Sequence, residues 1–378
     1  MLNRIIISFL VLAAYLCNGC GTESEMPDEK YVIGYLFPRD SIINEEKIAV
    51  EKLTHINYAF ADIKGGEIKQ GFINDSVNFS ILNSAKKRNP ELKILISIGG
   101  WTWSGQFSDV SLTKESRKKF VESSILFMQR HKLDGIDIDW EFPAIPGYEG
   151  NVYRPEDKQN FTYLMKDFRE ALDELEKKEG KHFLLTAATG SFDDYLENTE
   201  MGKVQQYLDF VNIMAYDFYE SSYADVAGHH TALYTSPLDK RGASADEFVQ
   251  KYIKEGVPAN KIVLGVAFYG RAWEVTTTEN NGLYQKAGAV KKPIHASFKN
   301  IKLNLENMNG YVRYWDSVSS APFLLNEKEK IFITYDDEES LKAKCNYIKK
   351  HNLKGAMFWE YTSDHEATLL KTLYNELK

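Results

Sequence analysis

Three carboxylates lie two residues apart in the stretch Asp134-Gly-Ile-Asp-Ile-Asp-Trp-Glu141: Asp137, Asp139 and Glu141. On a β-strand, residues at this spacing project from one face, and Ile136, Ile138 and Trp140 project from the other. Neighbours on one face sit about 6.6 Å apart along the strand, twice the rise per residue. Like charges that close resist joint ionisation, so one proton is held to higher pH than an isolated acid would hold it. A carboxylic acid still protonated near neutrality can donate to the leaving oxygen of a glycosidic bond. Glu141 has the longest reach and ends the stretch, so it is the expected acid. Asp139 is the expected partner, and Asp137 shares the buried proton below it. The other reading of the pattern is an exposed edge strand. The bulky Ile/Trp face argues against it. Acids turned into a sheet interior would be costly without a function, because buried parallel strands normally read as apolar runs.

Elements that could position such a strand recur along the chain. Eight apolar runs alternate with amphipathic stretches, at 31–35, 54–60, 93–98, 135–140, 182–188, 210–215, 262–268 and 354–359. The segment 113–128 repeats its apolar residues at helical spacing, with Ser111 or Thr113 as N-cap. A second helix runs from Pro155 towards Lys178, with Phe161, Leu164, Phe168, Leu172 and Leu175 on one stripe, and Ser244 opens a third. This pattern predicts an α/β fold, a (β/α)8 TIM barrel. The strand count leaves an open doubly wound sheet as the alternative. Between the seventh and eighth runs the chain is too long for one βα unit. It predicts a small α+β insertion over 274–324 that walls the cleft, with the barrel over 31–273 and 325–378.

Ahead of the barrel, Arg4 and the apolar run from Ile5 to Ala14 have the form of an export leader, too short to span a bilayer comfortably. Cys17-Asn-Gly-Cys20-Gly follows, with a small residue before a cysteine as at a bacterial lipoprotein cleavage site. Residues 1–19 are thus expected as a signal peptide, Cys20 as the lipidated first residue, and 20–30 as an acidic tether. The expected location is outside the cytoplasm, on a membrane through that anchor. Of three cysteines only Cys345 then remains unmodified, so no disulfide is available to the mature chain. Hydrophobic residues make up 43% and charged residues 26%, enough for a large core. A net charge of −8 argues against a nucleic-acid partner.

The motif around Glu141 resembles the fourth-strand signature of glycoside hydrolase family 18, the chitinases and their relatives. Ser97-Ile-Gly-Gly-Trp101, Met214-Ala-Tyr-Asp217, Gly265-Val-Ala-Phe-Tyr-Gly-Arg271 and Gly355-Ala-Met-Phe-Trp359 resemble that family's other strand motifs, in order. Tyr314-Trp-Asp316 and Tyr335-Asp-Asp337 resemble segments around the insertion of one chitinase subfamily. The resemblance spans the chain from about Tyr31 onward. It implies a retaining mechanism in which the substrate's own 2-acetamido oxygen is the nucleophile. Glu141 would be acid and then base. Asp139 would orient the acetamido N–H, and Tyr216 would donate to its carbonyl. Asp217 would bond the same sugar, Met214 would line its pocket and Trp359 would floor it. Tyr35 and Ser97 would support Asp137.

Trp101 and Trp103 follow a Gly-Gly turn, where leaving-side sugars could stack on them. Arg271 could hold a sugar or a structural carboxylate. His229 and His230 are adjacent, but no further acid or histidine at a familiar spacing supports a metal, and no cofactor is implied. The implied activity is a chitinase cutting β-1,4 linkages in chitin or chitooligosaccharides, endo or exo. The same residues would also serve an endo-β-N-acetylglucosaminidase acting on the chitobiose core of N-glycans. A non-catalytic sugar-binding relative would typically lack the acid, which is present here. The chain is expected to act as a monomer.

Overall fold

The computed structural model describes residues 29–378. The leader over 1–19, Cys20 and most of the tether lie outside the described residues. Eight parallel strands form the central sheet: β1 Tyr31–Leu36, β2 His55–Lys64, β3 Lys93–Gly99, β4 Gly135–Asp139, β5 Leu184–Thr189, β6 Phe210–Ile213, β7 Ile262–Ala267 and β8 Gly355–Trp359. Each pairs with its neighbours in sequence, and β1 also pairs with β8. That pairing closes the ring, so the sheet is a barrel and not an open doubly wound sheet.

The helices begin where side chains can satisfy their free N–H groups. Thr113, not Ser111, caps Lys114–Arg130: its Oγ1 accepts from Ser116 N–H at 3.1 Å, and Thr113 N–H donates back to Ser116 Oγ at 3.0 Å. Asp157–Glu179 buries the expected stripe from Phe161 to Leu175 and stops at Gly180, whose φ of 65° suits glycine. Ser244 caps Ala245–Lys254 through Glu247 N–H.

These helices decide which way β4 faces. Ile136, Ile138 and Trp140 join the apolar layer outside the barrel together with Phe120 and Phe161. Trp140 stacks on Phe107 at 5.3 Å and meets Phe161 edge-on at 5.9 Å. Each fully buried isoleucine contributes about 2 kcal/mol. Register on a strand has period two, so burying this face turns Asp137 and Asp139 into the barrel.

A second sheet has five antiparallel strands, in the order Ala287–Ala289, Arg271–Val275, Ile331–Thr334, Ala321–Asn326 and Tyr311–Asp316. It runs wider than 274–324 because its first long strand and its last are neighbours, with Arg271 opposite Thr334. The chain therefore leaves the barrel after β7 and returns beside its point of departure.

Candidate active site

The site is built upward from Asp137. Strand register places Ser97 and Thr186 on either side of it. Tyr35 OH and Ser97 Oγ each donate to Asp137 Oδ2 at 2.8 Å. Thr186 Oγ1 and Asn212 Nδ2 donate to Oδ1 at 2.5 and 3.2 Å. Burial pushes this carboxyl up and the four donors pull it back, leaving it above its ordinary value. Tyr35 and Ser97 stand where the sequence motifs imply. Thr186 and Asn212 were not among the expected residues. Their signal was a polar residue inside an otherwise apolar strand.

Asp139 lies two residues higher and is 4% exposed. Its Oδ1 has no hydrogen-bond partner among the described residues. Burial, then the charge of Glu141, then that of Asp137 hold it well above the usual carboxylate range. Glu141 stands at the barrel mouth, half-buried. Its carboxyl is pushed up to about 8, by burial first and then by the charge of Asp217. Glu141 therefore keeps its proton to higher pH than an isolated glutamic acid would. The cause differs from the expected one, since loss of water outweighs the like charges on the strand.

Around this acid the barrel mouth is aromatic. Trp359 stacks nearly parallel on Phe60 at 5.4 Å and also touches Tyr35 and Phe37. Met214, Tyr216 and Trp359 border one interior cluster with Tyr35, Phe60 and Met357. Tyr216 OH lies 3.9 Å from Met357 Sδ, and its ring meets Tyr269 at 6.1 Å. Burial and the nearby carboxylates push the Tyr216 phenol up, so it remains a donor.

Asp217 adopts a left-handed φ of 60°. Arg271 Nε and Nη2 donate to its two oxygens, each at 2.8 Å, while Nη1 lies 3.6 Å from Glu220. His230 Nδ1 is 3.4 Å from the same carboxylate. Burial alone would raise Asp217, but His230 and Arg271 outweigh it and hold the group below the usual range. Of the two roles open to Arg271, the one seen is the grip on a carboxylate. The adjacent histidines separate: His229 Nε2 faces Asp316 at 3.2 Å, and His230 Nε2 faces the Tyr269 carbonyl at 3.2 Å.

The two tryptophans after the Gly-Gly turn also part company. Trp101 is 49% exposed on the rim, beside Phe142 and Tyr148. Trp103 is turned inward, 5.0 Å from Phe72 and directly over Gly71, where a Cβ would come within 2.3 Å of its ring. Trp101 offers a face to a ligand. Trp103 packs the wall, because the glycine admits its ring.

A family model for glycosyl hydrolases family 18 matches residues 31–364. Chitinase A1 of Niallia circulans is 37% identical over 417 residues, covering 94% of this chain and 59% of its own length. The chain thus spans about three-fifths of that relative. Chitotriosidase-1 of Mus musculus is 32% identical, covering 90% of this chain and 74% of its own. The solved structure of a family 18 N-acetylglucosaminidase from Paenibacillus barengoltzii shares the fold with a TM-score of 0.84 at 39% identity, covering 92% of this chain and 99% of that one. A match that takes in all eight barrel strands and every residue of the site places this chain in family 18 of the glycosyl hydrolases.

Proposed function

We propose that this protein hydrolyses β-1,4 linkages between N-acetylglucosamine units of chitin or chitooligosaccharides, by a substrate-assisted, retaining route. The observation that carries the reading is the pair at the mouth: Glu141 keeps its proton to about 8 beside an Asp139 oxygen that meets no protein donor among the described residues. Glu141 protonates the glycosidic oxygen. Asp139 accepts the acetamido N–H, and the positive charge that develops as the acetamido oxygen attacks C1 favours its ionised form, which burial and like charges disfavour in the free protein. Tyr216 OH donates to the acetamido carbonyl and aligns it. The sugar stacks on Trp359. Water, deprotonated by Glu141, then opens the oxazolinium ion and returns the β-anomer. The acceleration comes from orientation and placed charge, with no enzyme nucleophile. The names of the relatives, chitinase A1 and chitotriosidase-1, support the same class of substrate.

The test is to incubate purified protein with chitotetraose and, separately, with a high-mannose glycoprotein. Cleavage of chitotetraose with early β-anomer by NMR is expected. Cleavage of the glycoprotein alone would overturn the chitin assignment in favour of the N-glycan core. A β-glucan without the acetamido group should not be cut. We place the enzyme on a membrane through acylated Cys20. Cells fed labelled palmitate should label the wild type but not Cys20→Ala.

A further inference from the structure

The strand that carries the acids stops short of the acid that matters. The β4 ladder ends at Asp139, opposite Gly99, so the sheet offers no acceptor for the backbone N–H of Glu141. That N–H is taken instead by Ser104 Oγ at 2.9 Å. Ser104 is 1% exposed and lies in the loop after β3. Its own proton reaches the carbonyl of Gly100 at 2.9 Å or that of Asp139 at 3.1 Å. The Asp139 carbonyl also accepts from Gly100 N–H at 2.8 Å. This approach needs glycine: Gly99 has φ of 107°, and a Cβ on it would lie 2.3 Å from the Asp139 carbonyl oxygen. On the far side, Asn151 Nδ2 donates to the Glu141 carbonyl at 3.4 Å. Gly147 presses so close that a Cβ would fall 2.1 Å from that same oxygen.

We propose that Ser104 is a positioning residue for the reaction: its hydroxyl fixes the backbone of Glu141 beyond the end of the sheet and so holds the carboxyl in line with the leaving oxygen. Asn151 is the weaker second half of the same clamp. The physical reason is one of leverage. Glu141 reaches the substrate on a flexible side chain, and its aim is only as good as the peptide that bears it. A displacement of about 1 Å at a reacting group can reduce turnover by up to about 100-fold. A residue that merely closed the β3 loop would bond Gly100 alone, whereas Ser104 also takes up the acid's own N–H.

The proposal rests on Glu141 as the acid, and its test has one arm that needs no turnover. In Ser104→Ala, kcat on chitotetraose should fall between about 10- and 100-fold with KM within about 2-fold of wild type, counted per site that binds oligosaccharide. In protein labelled with 13C at glutamate carboxyls, Glu141 should titrate at lower pH than in the wild type, since a loosened carboxyl gains water. Ser104→Thr keeps the hydroxyl and should recover both readouts. If Ser104→Ala lowers only the melting temperature and leaves kcat and the Glu141 titration unchanged, Ser104 is structural and the proposal fails. Should Ser104→Ala not fold, Asn151→Ala on its more exposed loop decides: an unmoved Glu141 titration there overturns the clamp. If the wild type does not cut chitotetraose, the substrate assignment fails while the titration arm still judges Ser104.

Discussion

At Asp137, four donors from four different strands close on two oxygens. At Asp139, two residues higher on the same face, one oxygen meets no donor among the described residues. Floor and mouth of the barrel thus treat the same side chain in opposite ways. At the floor it is the Asp137 carboxylate that is fully met by protein donors, both of its oxygens being taken up. The mouth keeps a buried acceptor unsatisfied, at a cost of about 1–3 kcal/mol. Such a deficit persists where a substrate group can relieve it, and an acetamido N–H has the right polarity. Stability is given up at the mouth for chemistry and is recovered below it.

The largest expected effect lies at the mouth. Glu141→Gln removes the proton donor but keeps shape and polarity, so turnover should drop on the order of 10³-fold while oligosaccharide binding persists. Near-wild-type rates in that variant would end the assignment. Next comes a contrast in stability. Asp137→Ala strands four donors and should destabilise the fold by about 3 kcal/mol. Asp139→Asn should instead stabilise the fold at neutral pH, by about 1–2 kcal/mol, while activity falls. The sign follows from linkage. Asp139 is raised in the folded state, so its ionisation disfavours folding. The penalty is absent below the unfolded value near pH 4 and grows as pH rises towards the folded value. Melting curves of Asp139→Asn and wild type should converge in acid, and equal stabilities at pH 7 would erase the contrast between floor and mouth. The smallest effect concerns pH. Activity should fall as Glu141 deprotonates around pH 8. Asp217→Asn removes a negative charge that raises Glu141 and frees the Arg271 cation, and both changes move that alkaline limb to lower pH. A limb that stays put in the kcat/KM profile would show that burial alone holds the proton.

Much of this arrangement was readable along the chain, and the parts that were not share a cause. The eight strands follow from short apolar runs, and the inward turn of Asp137 and Asp139 from period-two alternation, and both signals are local. The stripe on Asp157–Glu179 and the Ser244 cap are local too. The choice between Ser111 and Thr113 needed coordinates, because both offer the same hydroxyl and only backbone geometry separates them. Thr186 and Asn212 could not be assigned to Asp137 from spacing. They lie 49 and 75 residues away, and strand register in the closed barrel decides the pairing. Trp101 and Trp103 look alike in sequence, yet Gly71, far from both, draws only one of them inward.

The sequence by itself therefore determined the barrel and the face of β4 on which the three carboxylates are spaced, since both are written in residue types at fixed short spacing. Only the tertiary structure decided how strongly Glu141 holds its proton, what Arg271 grips and what holds the acid's backbone. Those depend on water excluded by distant elements and on contacts between loops that meet only once the barrel has closed.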